Sequence, residues 1–453
     1  MKKLILGLSI ICLSLFITLY SCKGTESQKN ITPVQFPDVA IQNFKFPEDS
    51  TTINDWLSKQ DTAQIISHAW GIWAGLTEPT NQKYNGQTLL VFETWLGIQE
   101  IANSSNNNTS KINRTALNVP KQFIHGALKD PQVIDTTFQV LETVSYDPWA
   151  ANFAISNQLL TSSKLRSYAV TDGIGSIPDF PNASIVTKPT YYTGIPDKNS
   201  LIRVPVWVSP VPAKAFRSSD WKTWVYADIN NRQKPNKILV PVTSSNPTKK
   251  EIENSTCNLN EFINYKLDEE GAEYLNLHED FNSTTYKDGD YVLLVAMHVA
   301  TKEIKNWTWQ TYFWCPDPKN PPSPSSKFAA DLKPKELKGA ASHYAVSVAY
   351  AMVWPNQPIT GGSDKNTRPI ISFNPYLEGG FGPRVFNQPN TYKPEFIYGM
   401  QTNCMSCHAL ATYKGTVGYT TDQYIDMKNL KLFKNDIQLD FLWSIQGNMD
   451  TLK

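Results

Sequence analysis

Near the end of this chain, two cysteines and a histidine stand at a spacing that can do chemistry. Cys404-Met405-Ser406-Cys407-His408 reads C-x-x-C-H, the attachment sequence for a c-type haem. Two thiols so spaced on a helical turn can each reach one vinyl group of the same porphyrin. The imidazole that follows presents a nitrogen to the iron from one side. Other chemistries also use paired cysteines. A structural zinc site needs a second ligand pair, and the sequence holds no second C-x-x-C. A thioredoxin-like dithiol follows a strand in a βαβ pattern, which this sequence lacks. One covalent haem c is therefore the expected cofactor, held by Cys404 and Cys407 with His408 as its proximal ligand.

The sixth iron position has two main candidates. His298 stands in the apolar run Met297-His298-Val299, and Met427 is the best-placed methionine after the motif. Met352 and Met449 are further options, Met405 lies inside the motif, and Met400 is too close in sequence to reach the far face. His68 sits between apolar residues and reads as a core histidine; His343 is a weaker candidate; His125 and His278 read as loop residues. A Met/His pair would raise the potential relative to His/His, whereas an open position would favour ligand binding. Glu378, in Tyr376-Leu377-Glu378-Gly379, is a carboxylate on a loop expected near the haem. Its ordinary role there would be to bond backbone N–H groups. No Ser-His-Asp arrangement, phosphate loop or H-E-x-x-H is found.

Haem is joined to this motif outside the cytoplasm, so an export signal is expected. Met1-Lys2-Lys3 is a positive start and Leu4 to Leu19 an apolar stretch, too short for a comfortable membrane span. Leu19-Tyr20-Ser21-Cys22 resembles a bacterial lipobox. It predicts a signal peptide over 1–21 and lipid on Cys22; ordinary secretory cleavage is the alternative. A polar tether over 22–50 would then hold the protein at a membrane surface. The expected location is extracytoplasmic, on the outer membrane or a periplasmic membrane face. Of six cysteines, Cys257 and Cys315 remain once signal, lipid and haem are assigned. In an oxidising compartment they predict a disulfide, with two buried free thiols as the alternative.

The elements that must position the motif follow from patterning. A net charge of +1 gives no nucleic-acid footprint. Thirteen Trp, thirty Pro and only 18% charged residues describe a β-rich, loop-rich protein. Helical spacing predicts helices over 52–76, near Leu89 to Ala102, and from Pro148 to about Leu165. Strands are predicted at Ser184–Lys188, Leu201–Val208, Trp221–Ile229 and Ala341–Trp354. Tyr291–Thr301 and Trp307–Cys315 should be antiparallel neighbours. The Pro-rich stretch Pro316 to Ser326 suggests a domain boundary. A helix carrying the motif should run from near Phe396 through His408. The reading is an α+β fold: N-terminal helices, a mainly antiparallel body over 51–325, and a haem-bearing region over 326–453.

Several segments together resemble an uncharacterised family of bacterial exported lipoproteins with a single C-terminal haem motif. They are Met297-His298-Val299-Ala300-Thr301-Lys302-Glu303, Trp307-Thr308-Trp309, Asn374-Pro375-Tyr376-Leu377-Glu378-Gly379-Gly380-Phe381, Cys404 to Ala411, and Asp440-Phe441-Leu442-Trp443-Ser444-Ile445. The resemblance spans roughly residues 60 to 445 and implies haem and export but no particular reaction. Extracytoplasmic electron transfer with a redox partner protein is the leading expectation. A haem enzyme, such as a peroxidase or small-molecule reductase, is the alternative, and a non-enzymatic binding or sensor protein is a third.

Overall fold

The computed structural model describes residues 31–84, 86–107, 140–208, 214–216, 218–277, 285–386, 390–413 and 418–447. The signal segment, Cys22 and the first part of the tether lie outside these residues, as do His125, His278 and Met449. Among the described residues, no helix is long and apolar enough to cross a membrane.

An eight-stranded sheet organises the molecule. In chain order its strands are β1 (Leu96–Gly97), β2 (Val140–Glu142), β3 (Ser145–Tyr146), β4 (Ile185–Gly194), β5 (Asn264–Lys266), β6 (Tyr291–Thr301), β7 (Thr308–Trp314) and β8 (Tyr344–Ala349). Their spatial order is β8-β7-β6-β4-β3-β1, with β5 beside β6 and β2 beside β4. Every pairing is antiparallel. Strand β6 is paired along both edges and covered on both faces. That is why Val292 to Val299 reads as an apolar run broken only by His298. With helices flanking the sheet, the architecture is α+β, as the patterning predicts.

Alternation along the strands divides the core in two. Met297, Val299 and Tyr312 join one apolar cluster with Trp70 and Trp73 of the helix Thr62–Leu76. There the Trp73 and Tyr312 rings stack at 4.4 Å. Val186, Ala300 and Trp309 join the other cluster, with Met405, Leu410, Phe441 and Leu442. The haem-motif segment and the chain's tail therefore pack on the second face.

Residues 31–49 do not behave as a free tether. Val34, Phe36, Phe44 and Phe46 pack against the first cluster. Gly71 and Gly75 make room for them: a Cβ at either would fall 2.0 Å from Phe44 and 2.1 Å from Phe36. A helical glycine costs about 1 kcal/mol against alanine, and the two phenyl rings seated there offset it.

Other expectations need correction. The helix over 52–76 is two helices, Ser50–Lys59 and Thr62–Leu76, broken at Gln60 with φ 55°. The piece near Leu89 to Ala102 is a strand (Gln87–Leu90), a turn and the helix Ile98–Asn107. The helix from Pro148 ends at Ser156, and a second runs Ser162–Arg166. The stretch Pro316 to Ser326 is not a domain boundary, because it joins β7 to β8, direct neighbours in one sheet. Cys257 and Cys315 are free, buried thiols rather than a disulfide. Their sulfurs donate to different carbonyls, Tyr226 O at 3.5 Å and Asp317 O at 3.2 Å. Burial pushes both thiol pKa values up, that of Cys315 to about 12.

Candidate haem site

The motif sits on a helix of five residues, Cys404–His408. The expected longer helix from Phe396 is interrupted by the turn Gly399–Gln401 and by extended backbone at Thr402 and Asn403. So short a helix has no stability of its own, and its neighbours hold it. Asn403 caps it, accepting from Ser406 N at 3.1 Å. The same amide donates to the carbonyls of Ile370 at 2.8 Å, Ala351 at 3.2 Å and Met352 at 3.4 Å. The Ser406 hydroxyl donates to Gln423 O, and Cys404 Sγ to Ser372 O at 3.3 Å.

His408 is held with one ring nitrogen committed. Its Nδ1 lies 2.8 Å from Phe441 O. A carbonyl can only accept, so Nδ1 carries the proton and Nε2 is the nitrogen left for iron. The ring also packs on Trp309 of β7, centroids 4.1 Å apart. Trp443 Nε1 donates to Cys407 O at 3.2 Å, tying the tail to the motif a second time.

The Phe441 carbonyl is itself aimed by a buried ion pair. Lys302, just past β6, meets Asp440 at 2.5 Å, and the two side chains are 5% and 4% exposed. Asp440 also accepts from Phe180 N at 3.0 Å. Both Asp440 (φ 46°) and Phe441 (φ 70°) adopt left-handed backbone, which a bulky residue such as Phe rarely takes.

A polar stripe crosses the sheet face beside the motif. Ser347, Thr311, His298 and Lys188 are successive cross-strand partners on β8, β7, β6 and β4. His298 Nε2 lies 3.0 Å from Glu378 Oε1, and Lys188 Nζ lies 2.6 Å from Glu142. The Asn374 N–H donates to the other Glu378 oxygen at 2.6 Å, and the Asn374 amide donates to Thr311 Oγ1 at 2.7 Å. Burial opposes ionisation of Glu378, but His298, the Asn374 N–H and Lys188 together outweigh it and hold its carboxyl below the usual range. Burial raises the pKa of Glu142 against the pull of Lys188.

The motif and the stripe share one electrostatic environment. Burial lowers the pKa of His408 to about 3, and the charges of His298, Lys188 and Glu378 also act on it. Burial raises that of Cys407 to about 12, with Glu378 and Lys188 acting on it as well. The Cys404 thiol is pushed up further, mainly by burial. Yet Cys407 and His408 keep partial solvent access. So do the side chains of His298 (13%), Glu378 (16%) and Lys188 (18%), whereas the adjacent Met297, Val299 and Thr187 have none. The sealed residues face the first apolar cluster, and the partly exposed ones lie on the opposite face with the motif.

These features fit haem attachment better than the other uses of C-x-x-C. A dithiol redox centre needs a lowered thiol pKa, and here burial raises both. A zinc site needs further ligands, and among the described residues no group of three or more His, Cys, Asp or Glu stands together. Neutral thiols and a neutral imidazole with Nδ1 tied to a carbonyl, both partly open to solvent, suit a porphyrin.

Of the two sixth-ligand candidates, His298 lies in the polar stripe. Its Nε2 is engaged with Glu378. Met427 is buried in the second apolar cluster, where its backbone bonds to Ile359 and Gln438. Met352 Sδ accepts from Ile425 N at 3.3 Å. His68 is a core histidine, between Tyr350 OH at 2.7 Å and Glu303 at 3.1 Å. His343 bonds Asn236 at 3.2 Å. Sequence patterning did not single out Lys188, Glu142, Lys302 or Asp440. The one available signal was a charged residue at the end of one strand-like run and just past another, Lys188 and Lys302.

Compared with models of known families, with curated proteins and with solved structures, the chain finds no match.

Proposed function

We propose that this chain is a lipid-anchored, single-haem c-type cytochrome that moves electrons outside the cytoplasm. The observation that carries the reading is the His408–Phe441 bond, which presents an oriented, neutral imidazole beside two free, protonated thiols. Cys404 and Cys407 would hold the porphyrin and His408 its iron. Bound haem would supply a one-electron iron couple. The residues around it do the rest. Phe441 fixes the tautomer of His408, Trp309 and Trp443 shield the motif from water, and Asn403 sets the angle of the motif helix. Cys22 would supply the membrane anchor, and a redox protein partner would deliver or remove the electron.

A second reading, a haem enzyme, draws on the His298–Glu378 pair, because simple electron transfer does not need a half-buried acid–base couple beside the motif. A redox titration of the matured protein tests the leading reading. Reversible one-electron reduction and re-oxidation, lost in His408→Ala, is expected. Iron that cannot be reduced and re-oxidised reversibly would contradict it.

A further inference from the structure

The strap over 31–49 is fastened at both ends. At its start Ile31 is buried, and Thr32 exchanges two hydrogen bonds of 2.7 Å with Gln82. Val34 N donates to Thr94 Oγ1 at 3.0 Å, and Trp95 Nε1 donates to Val34 O at 2.8 Å. Gln82 belongs to a hairpin of two strands, Pro79–Tyr84 and Gln87–Leu90. At the strap's other end Glu48 N donates to Glu303 Oε1 at 2.7 Å. Glu303 follows Lys302, whose pairing with Asp440 serves the motif. Between the ends, Phe36 and Phe44 are seated on Gly75 and Gly71.

These ends lie far apart along the sheet. The hairpin meets β5 where Lys266 N donates to Gln87 at 3.3 Å, and Lys266 pairs with Tyr291 at the start of β6. His298 and Thr301 lie toward the motif end of the same strand. Tyr291 and Thr301 bound β6, and a strand of that length rises about 34 Å. The inference drawn from this rests on the lipid anchor at Cys22. Cys22 and Ile31 are nine positions apart, so the chain between them spans about 30 Å at full extension. A loose strap would stretch that span, now ending at Ser50, to about 95 Å. It would also move the point of suspension from the hairpin end to the motif end.

We propose that the packed strap hangs the body from its hairpin end, so that the lipid surface faces the Pro79–Leu90 hairpin and the motif end is turned to the aqueous side, where the redox partner meets it. The exposed hairpin residues Asn81, Lys83 and Thr88 are polar, which suits apposition to lipid headgroups rather than insertion.

The test uses the full-length, lipid-modified protein in phosphatidylcholine–phosphatidylglycerol vesicles that carry a rhodamine-labelled lipid. Mass spectrometry of the N-terminal peptide comes first; a Cys22 without lipid would overturn the anchor reading itself, and this inference with it. With lipid present, a donor dye is placed on Asn81→Cys or on Lys305→Cys, both exposed positions. Energy transfer to the labelled lipid should be at least twofold more efficient from position 81. Adding Phe36→Ser and Phe44→Ser should abolish or reverse that preference, because suspension passes to Ser50. Should that variant fail to fold, trypsin on wild-type vesicles decides: the released N-terminus should be Asn30, from cleavage after Lys29. Equal transfer from the two positions, a preference unmoved by the strap substitutions, or a released N-terminus at Phe46, from cleavage after Lys45, would each overturn the proposal.

Discussion

Phe441 offers its carbonyl to His408 Nδ1 at 2.8 Å across 33 residues of sequence, and it does so from a left-handed backbone that the Lys302–Asp440 pair holds in place. Residues in such conformations cost about 1–3 kcal/mol each. A buried charge pair and a hydrogen bond to the motif histidine offset that cost. The carbonyl's direction is thus set by a residue next to β6, the strand that also carries His298.

Breaking the pair from one side should be severe. Asp440→Ala leaves the buried Lys302 ammonium only Lys305 O at 3.0 Å and the more exposed Asp179 at 3.7 Å, and should cost about 2–4 kcal/mol in urea unfolding. The double variant Lys302→Met/Asp440→Leu should recover a large part of that loss. A single variant within 1 kcal/mol or so of wild type would show that the pair does not hold the tail.

Asn403→Ala removes a helix cap and leaves three carbonyls without their shared donor. The expected loss is about 2–4 kcal/mol, with a lower yield of haem-loaded protein, because the thiols lose their common geometry. Unchanged stability and loading would mean that the motif helix is held from elsewhere.

Gly399 bears on the Glu378 loop. A Cβ there would fall 2.1 Å from Glu378 O, a backbone atom that cannot swing aside. Gly399→Ala should therefore destabilise by about 1–3 kcal/mol and disturb the His298–Glu378 contact. Thermal unfolding indistinguishable from wild type would show that the loop yields without cost.

Acid should act through His343. Burial, with a smaller contribution from Lys333, lowers its pKa from the usual 6.5 to about 4. The folded state thus binds fewer protons than the unfolded chain between these values, so wild-type stability is eroded as pH falls from about 6.5 to about 4. His343→Gln lacks this slope. The stability difference between wild type and variant should therefore move in the variant's favour across that window, read by urea unfolding at several pH values. A constant difference would contradict the assignment.

What the sequence revealed and what it hid have physical causes. The motif is local, so its residues and spacing were legible at once. The β6–β7 pairing was legible because two long β-patterned runs are joined by a short connection. His298 and Glu378 each stood out as chemical residues, but their contact spans 80 positions and no local pattern encodes it. The motif helix is shorter than its sequence suggested because Asn403 prefers to cap rather than continue a helix. The assumed tether hid a packed strap; Phe36, Phe44 and Phe46 were the apolar signal, and their receiving glycines lie in a different element. The Cys257–Cys315 disulfide was inferred by counting, and counting carries no geometry.

The central claim is that Cys404 and Cys407 carry haem. The most direct test is a pyridine haemochrome spectrum of the full-length protein expressed with cytochrome c maturation factors, beside Cys404→Ser and Cys407→Ser. The account predicts a c-type spectrum that survives acid–acetone extraction in wild type and is altered or lost in each variant. A wild-type protein that shows no covalent haem under these conditions would contradict it.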